Sequence, residues 1–287
     1  MGRKLSGAEI ERYRRDGFLQ PVRVMSETEA VACRRELEAL EAAYGPQHYL
    51  VKPHILSRLA ARLVLHAAIL DAVEDLIGPD LLLFDSAFIV KEPGDGKRVS
   101  WHQDLTYWGI EPTEVTSIWL ALSPATGESG AMRMLPGSHR RGPVAHRETF
   151  ETDNILSRGQ TVSESIDEEA AVQTELRPGE MSIHDGWTFH SSGINRAADR
   201  RIGFNMNLIR PHCRQIAFDG DTATLLRGVD RFGHWLPEPV AEADYAPAAV
   251  AFQAAIAAKR GEAVNLDRTG RLQNAAAHKA KAKGATV

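Results

Sequence analysis

His102 and Asp104 stand two positions apart in the run Trp101-His102-Gln103-Asp104. In an extended segment alternate side chains share a face, so the imidazole and the carboxylate project the same way. Together they can fill two neighbouring positions on a metal ion. A second histidine from elsewhere in the chain would complete a 2-His-1-carboxylate set, the arrangement that leaves positions open for Fe(II) and oxygen chemistry.

The chain has 11 histidines from which to draw that ligand. His48, His66 and His278 fall on polar helical or terminal stretches, His139 and His146 flank a loop, and His234 lies in an irregular segment. His184, His190 and His212 lie in or beside strand-like runs. His190 is favoured, because His190-Ser191-Ser192-Gly193-Ile194-Asn195-Arg196 places a ligand at a strand end with a turn behind it. Arg201 opens the next extended run 11 residues on. An antiparallel return brings a residue at that offset back toward the metal, where its guanidinium can hold a carboxylate bidentately. A metal with open positions beside such an arginine is what a 2-oxo dicarboxylic acid requires, chelating with one end and pairing with the other. Arg196 and Arg200 are rival partners, ranked below Arg201 by offset. His184 is expected behind the metal or in a turn, and His212 beside Cys213 is read as structural.

The elements that must position these groups change texture near residue 80. Residues 1–80 read as helical, with capping boxes at Ser6/Glu9 and Ser26/Glu29 and stops at Gly17 and Gly45. A helix over 27–43 has Val31, Leu37 and Leu40 on its apolar face, and 56–77 reads as one long or two short helices. Short strand-like runs follow at 81–91, 99–104, 115–122, 131–135, 172–176, 181–184, 189–191 and 201–209. Such strands without helices between them indicate a barrel or sandwich. Residues 141–172 read as a surface excursion and a candidate lid. After Pro211 the chain reads as irregular apart from a helix over 248–258, and 275–287 is expected to be a disordered tail. The whole is taken as one domain: a helical N-terminal region over 1–80, a core over 81–212 and an extension over 213–287.

Hydrophobic content of 43% and charged content of 25% fit an ordinary globular domain. A net charge of -4 gives no footprint for nucleic acid. Two cysteines are too few for a disulfide framework or a cysteine zinc site, and point to a reducing cytoplasm. The N-terminus has no apolar core of a signal peptide, and no window approaches about 18 uninterrupted apolar residues, so no membrane span is expected. The expected partner is a small molecule, and a homo-oligomer is compatible with the sequence.

Trp101-His102-Gln103-Asp104, Trp119 in Ser-Ile-Trp-Leu-Ala-Leu, Met134-Leu135-Pro136-Gly137-Ser138-His139, Pro178-Gly179-Glu180 and the run from His190 to Arg196 together resemble the phytanoyl-CoA dioxygenase family. The similarity extends over roughly residues 8–212. It implies a mainly β protein with flanking helices, built on a double-stranded β-helix (jelly-roll, cupin-like) core. It also implies Fe(II), 2-oxoglutarate and O2 as cofactor and cosubstrates, with His102, Asp104 and His190 as iron ligands. Arg201 would hold the distal carboxylate of 2-oxoglutarate, and Trp119, Ser192 and Gln103 would line its pocket. Relatives that halogenate carry Gly or Ala in place of the carboxylate, so Asp104 implies hydroxylation or another oxidative step in preference to halogenation.

The implied reaction is hydroxylation of a C–H bond of a small or mid-sized polar metabolite, with release of succinate and CO2. Desaturation or cyclisation by the same centre, and a non-catalytic metal-binding jelly roll, are the alternatives. Tyr107 and Trp108 follow the ligand pair and are candidates for a wall of the substrate pocket, against simple core packing. Lys52 and His54, in the connector before the core, correspond to a region where relatives place a basic residue near cosubstrate or substrate, although a Lys-Pro connector is usually solvated. Asn205 and Asn207 share a strand face that either lines the pocket or meets solvent, with Phe204 pointing the other way.

Overall fold

The computed structural model describes residues 3–156 and 158–264. Helices α1 (Gly7–Asp16) and α2 (Glu27–Tyr44) begin where the capping boxes place them. The Ser6 hydroxyl accepts from the Glu9 amide at 3.3 Å while the Glu9 carboxylate accepts from the Ser6 amide at 2.8 Å. Gly17 then ends α1 in the left-handed region, at φ 83°. The buried stripe of α2 is Ala30, Cys33, Leu37 and Leu40, whereas Val31 is exposed, one position off the expected face. Three shorter helices follow, α3 (Pro53–Leu56), α4 (Arg58–Val64) and α5 (Ala67–Ile77), so the 56–77 region is two helices and not one.

The strands in chain order are β1 (Phe18–Arg23), β2 (Leu81–Lys91), β3 (Val99–His102), β4 (Ile110–Glu111), β5 (Val115–Ala121) and β6 (Met132–Met134). Next come β7 (His146–Glu148), β8 (Gln160–Val162), β9 (Val172–Thr174), β10 (Glu180–Asp185) and β11 (His190–Ser192). The last are β12 (Arg201–Ile209), β13 (Arg214–Gln215), β14 (Thr222–Arg227) and β15 (Leu236–Pro237), ahead of helix α6 (Pro247–Val264). A larger sheet runs β1-β10-β5-β12-β2-β14-β15 and a smaller one β3-β11-β6-β9. Two such sheets make the double-stranded β-helix that the sequence implies.

Two of these strands differ from the sequence expectation. β1 lies inside the stretch read as helical, where it pairs antiparallel with β10, Phe18 opposite His184. Six residues between two well-capped helices carry little period-2 signal, and Pro21 falls where the β1–β10 register shifts, at the sheet edge that tolerates proline. β14, beyond Pro211, pairs with β2 and so extends the sheet past residue 212. The 141–172 excursion is likewise less loose than a surface loop. It contains the β7–β8 hairpin and is tied to β3 through Asn154 Nδ2, which donates to Ser100 Oγ at 2.8 Å. The tail 275–287 lies outside the described residues.

The main core sits between the helices and the outer face of the larger sheet, where Leu37, Leu63, Val73, Phe88, Phe204 and Met206 are buried together. That packing leaves the inner face of the larger sheet free to line a cavity against the smaller sheet. Among the described residues no helix is long and apolar enough to cross a membrane.

Candidate active site

β3 ends at His102, and Asp104 opens a 3-10 turn over Asp104–Thr106. The pair therefore does not share one strand, as the spacing suggests. Gln103 between them is still extended (φ -120°, ψ 129°), which keeps the alternation for one more step, and His102 Nε2 lies 3.2 Å from Asp104 Oδ1. β11 pairs with β3 so that His190 sits directly opposite His102, their ring centroids 4.1 Å apart. His190 Nε2 is 3.8 Å from the same carboxylate oxygen. One donor atom from each of the three residues falls within 4.8 Å of the others.

The backbone presets both imidazoles. His102 Nδ1 bonds the Ser100 carbonyl at 2.9 Å and His190 Nδ1 bonds the Thr188 carbonyl at 3.0 Å. A carbonyl can only accept, so each Nδ1 carries the proton and each Nε2 offers its lone pair to the centre of the cluster. Burial, reinforced by the neighbouring His102, lowers the His190 pKa to about 3, which keeps the ring neutral and able to ligate. Burial works against the Asp104 carboxylate, but His190, His102 and His184 together pull it well below the usual range. Ser117 Oγ donates to Asp104 Oδ2 at 3.3 Å and fixes the carboxylate from the larger sheet. Two neutral imidazoles and one anionic carboxylate on preset backbone bonds suit a divalent iron with open positions.

The cluster lines a cavity of about 210 Å³, and Arg201 lines it too. Arg201 is 1% exposed, its Nη1 donates to the Gly130 carbonyl at 2.5 Å, and its Nε makes no hydrogen bond. Among the described residues no carboxylate pairs with it, and burial lowers its pKa to about 10. Its guanidinium lies over the Trp119 ring, 5.1 Å from the centroid. Gly203 makes that possible, because a Cβ there would come within 2.0 Å of the Trp119 ring. Arg200, the rival, turns outward to Glu41 and Glu92, and Arg196 is exposed.

Beside Arg201, and directly opposite it in the β12–β2 register, Lys91 is fully buried. Its Nζ donates to Ser192 Oγ at 2.7 Å and to the carbonyl of Gly193. Burial, then the nearby Arg201, lowers its pKa to about 6. Nothing in the sequence singles Lys91 out, because a lysine ending an apolar run normally reaches solvent.

The remaining candidates divide. Trp119, Ser192, Trp108, Asn205 and Asn207 line the cavity, with Asn205 Nδ2 donating to Asn207 Oδ1 at 3.2 Å. Phe204 points away onto Phe88, as alternation requires. Tyr107 lines a second cavity of about 220 Å³ that shares Val51, Asp85 and Trp108 with the first. Gln103 is a correction. Its side chain faces away from the cavity, donates to the carbonyls of Gly142 and Trp187, and accepts from the Val144 amide. It ties down the excursion after β6. Lys52 and His54 are corrected too, for they line neither cavity and Lys52 is not solvated. Lys52 Nζ and His54 Nε2 both bind Glu238, whose side chain is fully buried. His184 sits in β10 and not in a turn, with its Nε2 3.5 Å from Asp104 Oδ2 and no hydrogen bond at either ring nitrogen.

The model of the family described as phytanoyl-CoA dioxygenase (PhyH) matches residues 13–203. The chain belongs to the phytanoyl-CoA dioxygenase family. Among solved structures, the non-heme monooxygenase ThoJ is 33% identical, with a TM-score of 0.78 over 89% of this chain and 97% of ThoJ. The ectoine dioxygenase of Halomonas elongata is 25% identical over 224 residues, 69% of this chain and 68% of that protein. The phytanoyl-CoA dioxygenase of Arabidopsis thaliana is 29% identical over 128 residues, 45% of this chain and 44% of that protein. The chain thus spans about half the length of several curated relatives it matches.

Proposed function

We propose that this family member hydroxylates a C–H bond of a small or mid-sized polar molecule, with His102, Asp104 and His190 holding Fe(II) and Arg201 holding the distal carboxylate of 2-oxoglutarate. The observation that carries the reading is the shared cavity: a three-residue ligand cluster and a buried arginine without an ion-pair partner face the same space. A buried cation left unpaired is costly, and an incoming carboxylate relieves it. When bound, Fe(II) with 2-oxoglutarate and O2 supplies the oxidant that takes hydrogen from carbon and returns hydroxyl, leaving succinate and CO2.

The protein's own residues orient and exclude. The Nδ1 bonds of His102 and His190 hold each Nε2 toward the metal position, and Ser117 holds Asp104. Trp119 walls the cosubstrate end, while Trp108, Asn205 and Asn207 form the substrate end. Asp104 supports hydroxylation over halogenation, since its carboxylate takes the position that halogenating relatives leave open. Names among the relatives agree with small polar substrates: ectoine dioxygenase and L-proline trans-4-hydroxylase. Two buried free cysteines suit a cytoplasmic setting.

The test is succinate release from 2-oxoglutarate by the purified chain with iron, ascorbate and O2. His102→Ala, Asp104→Ala and His190→Ala are each expected to abolish it. Full turnover in any one of them removes that residue from the ligand set.

A further inference from the structure

One carboxylate in the cavity has no role in holding iron or 2-oxoglutarate. Asp85 lies on the same inner face of β2 as Ala87 and Ile89, and all three line the cavity. Asp85 pairs in register with Asn207, and Asn207 with Ser117, the residue that bonds Asp104. Two strand spacings, about 10 Å, therefore separate Asp85 from the iron-ligand carboxylate's anchor.

The surroundings of Asp85 already accept one cation. Arg260, from α6, donates through Nη1 to Asp85 Oδ1 at 3.0 Å, and its Nε and Nη2 each reach a different oxygen of Asp221 at 3.1 Å. Asp221 thus takes the fork of the guanidinium, and Asp85 takes only one edge of it. Nearby, the Glu238 charge is matched by Lys52. Asp85, Asp221 and Glu238 against Arg260 and Lys52 leave the cluster one net negative charge, and Asp85 is the carboxylate of the three that faces both cavities. Burial pushes the Asp85 carboxyl up despite Arg260, as expected of a charge that lacks full compensation. Beside it stands Trp108, edge to face with Phe84 at 5.2 Å; Arg260 already lies over the Phe84 ring at 6.0 Å, so the Trp108 ring is the one offered to an organic cation.

We propose that Asp85 is a substrate-binding residue and that the substrate class is a small organic cation, such as a protonated amine, seated between Asp85 and Trp108 with the oxidised carbon toward His102, Asp104 and His190. This rests on the oxygenase reading above and adds the charge of the substrate to it. The cavity is then polarised end to end: cationic at Arg201 for the cosubstrate, anionic at Asp85 for the substrate.

The experiment titrates the full chain, anaerobic and loaded with Fe(II) and 2-oxoglutarate, with phenethylammonium and with its neutral counterpart 2-phenylethanol. Loading is followed separately by the visible absorbance of the chelated 2-oxo acid. The cation is expected to bind about tenfold tighter than the alcohol, as a charge-assisted bond requires. Asp85→Asn should level the two, while Arg260→Gln should tighten the cation further by releasing Asp85 from its internal partner. Equal binding of the two probes, no binding of the cation, or a cation preference that survives Asp85→Asn overturns the proposal. An Arg260→Gln chain with unchanged or weakened cation binding does so as well, because that is the result of a purely structural Asp85–Arg260 pair. If Asp85→Asn fails to fold, the Arg260→Gln titration decides alone. Absence of the loading absorbance in the unaltered chain would instead count against the oxygenase reading, and the cation titration on the metal-free chain then decides the role of Asp85 by itself.

Discussion

Two clusters of buried basic residues flank the inner sheet, and they are built on opposite principles. Around Glu238 every charge has a partner: Lys52 and His54 bind its two oxygens, and Thr222 and Thr224 donate to the same oxygens at 2.6 and 2.7 Å. Around Arg201 the charge is buried beside a second basic residue, Lys91, and no carboxylate among the described residues is in ion-pair contact with it, Asp95 acting only from a distance. A satisfied cluster locks segments together, here the connector before β2 and the chain after β14. An unsatisfied one waits for a ligand. Residue type alone does not separate the two, since both present a lysine and another base.

The contrast can be broken most easily at Glu238. Glu238→Ala leaves Lys52 buried and unpaired and is expected to cost about 3–5 kcal/mol in denaturant unfolding. A loss below about 1 kcal/mol, the worth of an ordinary exposed pair, would show that the cluster is not a lock. Arg201→Met should do the reverse, raising the 2-oxoglutarate needed for half-maximal succinate release by about 10- to 100-fold while unfolding changes little, since about 1.5–3 kcal/mol attaches to bonds with a charged group. A variant that loses stability but keeps its 2-oxoglutarate requirement would place Arg201 with the locks.

Lys91 adds a pH signature. Its pKa falls from 10.5 to about 6 on folding, so between those values the unfolded chain binds a proton that the folded chain does not. Stability should therefore climb as pH rises through that window, and below about pH 6 the full penalty of burying the ammonium is present. Lys91→Met should flatten this stretch of the climb, its advantage over the unaltered chain being largest at low pH and gone near pH 10.5. Parallel curves for the two chains would mean that Lys91 is protonated in the fold. The smallest effect belongs to Arg200→Ala, whose half-exposed bonds to Glu41 and Glu92 are worth about 1 kcal/mol or less, with no change in the 2-oxoglutarate requirement. If Arg200 and not Arg201 sets that requirement, the register of the cavity is off by one residue.

Much of the site is legible in the sequence because its chemistry is local or follows register. The capping boxes fix α1 and α2 by bonds that span three residues. Arg201 does line the cavity with His190, but it comes from β12 of the larger sheet and not from an antiparallel return beside β11, which belongs to the smaller one. What escapes depends on distant partners. Lys52 and His54 look like ligands because Glu238 lies far along the chain, and Gln103 looks like pocket because Gly142, Val144 and Trp187 converge on it only in the fold. Asp85 does carry a sequence signal, a lone carboxylate in the apolar run Leu-Leu-Leu-Phe-Asp-Ser-Ala-Phe, but its use emerges only from the cavity. β1 and β14 are hard to see because short strands at sheet margins show too few alternations to register.

The pairing of His190 with His102 across β11 and β3 also carries a message about time. Local turns can bring Asp104 to His102 early, but the third ligand arrives only when two far-separated stretches of chain have found their register, a step slowed by the loop it must close. On the proposed ligand set, iron capture would therefore report completed assembly. A half-folded chain would offer the metal two ligands, and only the finished one three.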